Sequence, residues 1–203
     1  MRPQLKKLKL SPDGAMQMAF QLAHHKMRGG LLPSTYEAAS TAAFKHGRTE
    51  TIRSATPEAA KFVAAFAKGS SASASEKAGL MRKAIDNHTR ISRDALMGNG
   101  FDRHIFALDD VAKSMGKSPP LFGCSAIKKL RQIILSTSTL SSDIIVGGGF
   151  GPVNDDCYAV GYGIRSYGSQ VQVMTYKGTA DARAFVECLE KAQVEMVEAA
   201  GGS

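Results

Sequence analysis

The sequence predicts a mixed α/β domain, on three observations. Apolar residues recur at helical spacing through the first two-thirds, Val- and Tyr-rich extended segments fill the last third, and an amphipathic helix closes the chain. The length of 203 residues suits one domain or a substantial part of one, and a hydrophobic content of 43% with 22% charged residues is ordinary for a globular core with a polar surface.

Each element has a local reason. Residues 11–28 read as a helix: Ser11 is a natural N-cap, Pro12 suits the first helical position, and Asp13 complements the positive helix end. Met16, Phe20, Ala23 and Met27 give its apolar stripe, and Gly29-Gly30 ends it. Residues 34–45 open with a short strand. A helix over 57–67 follows Pro57, and the Ser/Gly/Ala run Gly69–Ser75 reads as a surface loop. Longer helices are predicted over 76–96 and 101–115, the second ending at Gly116 with Pro119-Pro120 beyond. Strands are predicted at Gln132–Ser136, Tyr158–Ile164 and Gln170–Tyr176, the last two joined by a turn at Tyr167-Gly168-Ser169. Phe185, Leu189, Ala192 and Met196 form one stripe of a final helix over about 180–199.

Several function classes are disfavoured. No apolar run approaches the ~18 residues that span a bilayer. Arg2, Lys6, Lys7 and Lys9 are not followed by the apolar stretch of a secretory signal. Cys124, Cys157 and Cys188 are odd in number and widely spaced, which predicts reduced thiols rather than a disulfide framework or a metal site. The net charge of +8 is weighted to the N-terminus, which suits a solvated face or a polyanion such as a phosphorylated ligand. The basic residues lack aromatic interleaving, which disfavours nucleic acid.

Four polar constellations remain. His46–Thr51 offers a guanidinium and hydroxyls to a carboxylate, or is a surface loop. Asp102-Arg103-His104 is a base with its orienter, or a charged helix start; neighbours on a helix do not face each other, which weakens a local dyad. In Leu135–Thr139, strand alternation sends Ser136 and Ser138 to one side, where hydroxyls can donate to a developing oxyanion, or the segment is merely a polar strand end. Gly147–Val153 cradles a phosphate, lets another backbone approach, or is a plain turn, and it matches neither the dinucleotide fingerprint nor the P-loop.

Their order and spacing resemble the choline/carnitine O-acyltransferase family. The resemblance rests on five segments: the Ser11-Pro12-Asp13 helix start, Tyr36–Thr51 (YEAASTAAFKHGRTET), Gly100–Leu108 (GFDRHIFAL), Leu135–Leu140 (LSTSTL) and Gly148–Tyr162 (GGFGPVNDDCYAVGY). It covers nearly the whole chain and is closest to the long-chain, mitochondrial carnitine branch. It implies the CoA-dependent acyltransferase (chloramphenicol-acetyltransferase-like) fold, of which residues 1–203 are the C-terminal half, a mixed sheet flanked by helices. It implies reversible acyl transfer between CoA and carnitine in fatty-acid oxidation, with acyl-CoA as substrate, no permanent cofactor and no metal.

The same resemblance implies residue roles. Arg2, Lys6 and Asp13 match CoA contacts, with Arg2 where the family usually has Lys. Tyr36, Thr49 and Arg103 match the positions that hold the carnitine carboxylate, with Ser136 supporting. Ser138 matches the hydroxyl that stabilises the oxyanion, a donor worth about 3 kcal/mol of barrier. Gly148 stands where short-chain enzymes carry a bulky plug, so the acyl tunnel is open to long chains. The general-base histidine belongs to the N-terminal half, and none of His24, His25, His46, His88 or His104 occupies its motif. The chain then resembles part of a much longer protein, inactive alone, whose partners are carnitine, acyl-CoA and the remaining half. A mitochondrial location on the matrix side of the inner membrane, with peripheral membrane association, follows from the resemblance alone. Two departures stand out: Ala38 replaces a serine that touches the carboxylate, and Cys157 and Ala159 replace glycines before Val-Gly-Tyr. The alternatives are a non-catalytic CoA-binding or regulatory module, and a choline or short-chain acyltransferase; Arg103 argues against choline and Gly148 against short chains.

Overall fold

The structure is a computed structural model that describes residues 8–30, 32–139, 144–165 and 168–201. Arg2, Lys6 and Tyr167, all named above, lie outside those residues. In chain order the elements are α1 (Pro12–Arg28), β1 (Thr35–Ser40), β2 (Thr49–Ile52), α2 (Pro57–Ala65), α3 (Ala74–Leu96), α4 (Asp102–Ser114), α5 (Pro120–Gly123), α6 (Ser125–Arg131), β3 (Leu135–Thr139), β4 (Tyr158–Ile164), β5 (Ser169–Met174) and α7 (Ala182–Ala199).

The five strands form one mixed sheet in the order β2-β1-β3-β4-β5. The central pairs β1–β3 and β3–β4 are parallel, and the edge strands β2 and β5 pair antiparallel. The β1–β3 crossover carries α2 to α6, as a parallel connection requires. Register fixes which residues share a face: Tyr36 pairs with Ser136 and Ser136 with Ala159, whereas Glu37 pairs with Thr137 and Thr137 with Val160. The second set points into the helical layer; the first points the other way.

The helical face holds the main core. Leu135, Tyr158, Val160 and Tyr162 meet apolar side chains of α1, α2, α3 and α7. Phe185 stacks on Tyr158 with ring centres 5.0 Å apart, and Phe20 meets Tyr162 edge-on at 5.3 Å, so aromatic pairs bolt α7 and α1 to β4. Ser11 caps α1 by accepting from the Gly14 N–H at 3.2 Å, and the predicted stripe of α7 (Phe185, Leu189, Ala192, Met196) is its buried set.

Three expectations shift. The third strand starts at Leu135 rather than Gln132, and Ala74 already belongs to α3, capped by Ser73, so the loop ends earlier than Ser75. β2, α5 and α6 were not expected. β2 forms because Thr41 and Arg48 close a turn, with the Thr41 N–H on the Arg48 carbonyl at 3.1 Å and the Arg48 N–H on Thr41 Oγ1 at 2.8 Å. Cys124, Cys157 and Cys188 are free thiols.

Candidate active site

Tyr36 and Thr49, which precede Arg103 by 67 and 54 residues in sequence, meet it on the sheet face away from the main helical layer. Arg103 Nη2 donates to the Tyr36 hydroxyl at 2.9 Å and to Thr49 Oγ1 at 3.3 Å, and its Nε donates to the Thr49 carbonyl at 3.1 Å. The guanidinium also lies 5.7 Å from the centre of the Tyr36 ring, within cation–π range. Strand geometry explains the convergence. Tyr36 is on β1, Thr49 on its antiparallel neighbour β2, and α4 starts beside β2 and delivers Arg103 in its first turn. Arg103 keeps 39% of its side chain exposed, so a cation with donors in a planar fork faces solvent.

Ser136 and Ser138 extend the same face. Ser136 lies beside Tyr36, and Ser138 is two residues further along β3, opposite Gly161. Ser136 is buried and Ser138 half-buried. Ser138 lines a cavity with Gly148, Gly149, Phe150, Gly161 and Tyr162, so the hydroxyl and the glycine segment share one space. A side chain on Gly161 would collide with the Gly148 carbonyl, which lies directly over β4 at that point. Close backbone approach is therefore what the glycines serve here. Ala38, two residues beyond Tyr36 on the same face, is exposed and pairs with Thr51.

The helix side of the sheet carries a second polar group. Asp13 accepts from the Tyr162 hydroxyl at 2.7 Å, so this predicted CoA contact sits among buried groups on the helix side, across the sheet from Arg103. Gln17 donates to Thr137 Oγ1 at 2.9 Å and to the Tyr162 hydroxyl at 3.1 Å. His88 Nε2 and Glu37 Oε2 are 2.8 Å apart, with side chains 2% and 6% exposed. Burial opposes charge on His88, but the hydrogen bond and negative charge of Glu37 outweigh it and raise the imidazole above its usual range. Burial also raises the Glu37 carboxyl, against the His88 hydrogen bond. Burial, with Asp13 and Glu37 near, pushes the Tyr162 phenol up. Asp13, Glu37 and His88 each bring a potential ligand atom within 4.8 Å of the others, but Tyr162 already donates to Asp13 and His88 is bound to Glu37.

The Asp102–His104 dyad does not form. Asp102 Oδ2 accepts from Thr51 Oγ1 at 3.1 Å and Oδ1 from Arg53 Nε at 2.9 Å, while His104 is exposed. Glu50 lay within the His46–Thr51 constellation but was given no role, and Arg53, two residues beyond it, carried no local signal.

A family model described as Choline/Carnitine o-acyltransferase matches residues 2–191. The mitochondrial carnitine O-palmitoyltransferase 2 of Bos taurus is 44% identical over 200 residues, and that of Homo sapiens 43%, each covering 98% of this chain and 30% of the relative. The choline O-acetyltransferase of Mus musculus is 37% identical over 201 residues, with the same coverage. The chain thus spans about a third of the length of these curated relatives. The expected resemblance holds at the level of sequence across nearly the whole chain, and the chain belongs to the choline/carnitine O-acyltransferase family.

Proposed function

We propose that the chain is the C-terminal part of a carnitine O-acyltransferase that moves long acyl groups reversibly between CoA and carnitine. The observation that carries this reading is the meeting of Arg103, Tyr36 and Thr49 on the sheet face that also presents Ser138. Carnitine carries a carboxylate, and a solvent-facing guanidinium flanked by two hydroxyls suits it. Arg103 supplies the charge, and Tyr36 and Thr49 fix the direction of its fork. Ser138 donates to the oxyanion formed when the carnitine hydroxyl attacks the thioester carbonyl, and Ser136 supports it. The proton of that hydroxyl goes to a general-base histidine supplied by the part of the longer protein that this chain does not contain. The fold would be the chloramphenicol-acetyltransferase-like one, with two similar halves meeting at the reaction centre.

CoA would be held at its phosphates by Arg2 and Lys6, with Asp13 as a further contact. Gly148 would leave the acyl tunnel open. The names of the carnitine relatives support a mitochondrial location. The inner membrane, its matrix side and peripheral attachment are part of this reading; among the described residues no helix is long and apolar enough to cross a membrane.

The test is a palmitoyl-CoA/carnitine exchange assay on the full-length gene product. Exchange that falls at least about tenfold in Arg103→Ala supports the reading, on the scale of a lost bond to a charged group. Unchanged exchange in that variant overturns it. The coverage of only 30% of each relative favours one further statement: the 203-residue chain alone lacks transferase activity. Turnover by the isolated chain at the rate of the full-length product would refute that, and a full-length product without exchange activity would favour a non-catalytic CoA-binding module.

A further inference from the structure

We infer that Arg53, Asp102 and Glu50 are positioning residues that hold Arg103 in place and leave its charge for a ligand; this rests on reading Arg103 as the carboxylate anchor. The start of α4 needs such a device. Its N-cap position is Phe101, which offers no side-chain cap bond, so the first-turn N–H groups must find acceptors elsewhere. Glu50 reaches across from β2 to supply one. Its Oε1 accepts from the Arg103 N–H at 3.2 Å and from the Thr51 N–H at 2.7 Å. Glu50 is only 6% exposed, and a side chain on Gly100 would collide with its carboxylate, so the chain is bare where Glu50 passes beneath the helix.

Asp102 is held from the other side. Arg53 binds it through both Nε and Nη2, and Thr51 Oγ1 donates to its second oxygen. The same guanidinium donates through Nη1 to the Thr35 carbonyl at 2.6 Å and the Leu130 carbonyl at 3.1 Å. One half-buried cation therefore ties together the start of β1, the end of β2, the first residue of α4 and the end of α6. The Arg53 and Asp102 side chains are 13% and 11% exposed, where a paired charge is held firmly and an unpaired one is costly.

This latch has an electrostatic consequence. Asp102 is adjacent to Arg103 in sequence, and its Oδ2 is 3.6 Å from Arg103 Nη1. Left alone, that carboxylate would draw the Arg103 fork onto itself. Arg53 takes Oδ1 and Thr51 takes the Oδ2 that faces Arg103, so Asp102 and Arg103 keep only a long ion pair while the side-chain hydrogen bonds of Arg103 run to neutral oxygens of Tyr36 and Thr49. The latch therefore sets both the position of Arg103 and the direction in which its charge is offered.

The experiment uses the 203-residue chain. Hydrogen exchange at the Arg103 Nε–Hε group is followed by NMR, the signal being assigned by its loss in Arg103→Lys, and carnitine and choline are titrated separately. In Asp102→Asn we expect that exchange to accelerate about tenfold and carnitine affinity to fall about tenfold, with choline, which has no carboxylate, changed less than twofold. Arg53→Lys, which keeps the charge but loses the fork, should show the same effects at smaller size; it also serves as the test if Asp102→Asn does not fold. Exchange and carnitine affinity within twofold of the parent in the folded variants overturn the inference. An equal loss of carnitine and choline binding also overturns it, since that reports general disruption. If the parent chain binds no carnitine while Asp102→Asn still frees the Arg103 N–H, the latch stands and the carboxylate reading falls.

Discussion

Arg103 donates to the hydroxyl of Tyr36 at 2.9 Å while its guanidinium carbon lies 5.7 Å from the centre of the same ring. One aromatic side chain thus orients the cation by a directed bond and by the charge distribution of its face. Removing the hydroxyl alone leaves the ring contact. Tyr36→Phe should weaken carnitine binding by about threefold to tenfold, less than Arg103→Ala, with stability changed by under about 1 kcal/mol. Calorimetric titration with parallel thermal melts checks this, and a Tyr36→Phe loss as large as that of Arg103→Ala would contradict the division of labour.

The buried His88–Glu37 pair should make stability depend on pH above neutrality. Both groups have folded values raised above their unfolded ones, so the folded chain keeps a proton that the unfolded chain releases. The His88 contribution is complete below the unfolded imidazole value of about 6.5 and is lost as pH rises through the folded one, whereas that of Glu37 is complete only below the unfolded carboxyl value of about 4.3. The thermal midpoint of the parent should fall over the interval above about pH 6.5, and His88→Gln should flatten that slope. A parent midpoint that rises over that interval would rule the account out.

His24 gives the opposite slope on the acid side. Burial, followed by the charges of Arg28 and His25, lowers its pKa to about 4. A depressed imidazole favours the folded state above the unfolded value and loses that contribution as pH falls through the folded one. Between pH 6.5 and 4 the chain should lose about 3 kcal/mol from this group, and His24→Leu should remove most of that dependence. Urea midpoints at several pH values provide the measurement.

Gly161 should tolerate no side chain. An added methyl meets the Gly148 carbonyl, a backbone atom that can retreat only if the segment over β4 shifts. Gly161→Ala should cost about 1–3 kcal/mol in urea unfolding, the range typical of overpacking. Gly163, on the same strand and with open space at its Cβ position, is the control: Gly163→Ala should change stability by less than about 1 kcal/mol.

In the full-length protein, Gly148→Met should reduce palmitoyl transfer at least about tenfold and spare acetyl transfer, because the new side chain fills the cavity shared with Ser138. Parallel assays with both acyl-CoA substrates decide it. Unchanged palmitoyl turnover would remove Gly148 from the acyl path.

Local rules were enough for part of this molecule. Ser11 and Pro12 announced α1, and the spacing of Phe185, Leu189, Ala192 and Met196 gave the buried side of α7, because caps and helical periodicity act within a few residues. Thr49, Arg103 and Ser138 stood in polar constellations whose spacing alone did not distinguish a site from a polar surface, and Tyr36 entered only through the family resemblance. Arg53 was invisible because its partners are residues 35, 102 and 130, contacts that exist only once the sheet has formed. The same holds for His88 and Glu37, 51 residues apart. β2 was hidden because Thr49–Ile52 is four residues long and its pairing depends on the turn closed by Thr41 and Arg48.

Cys157 is fully buried at the entrance to β4, and burial pushes its thiol up, whereas Cys124 and Cys188 are partly exposed. A thiol-specific reagent will meet the other two first and reach Cys157 only when the segment ahead of β4 lifts away. The chain therefore contains its own clock for that opening: the rate at which the third sulfur becomes labelled measures how often the segment leading into β4 comes apart.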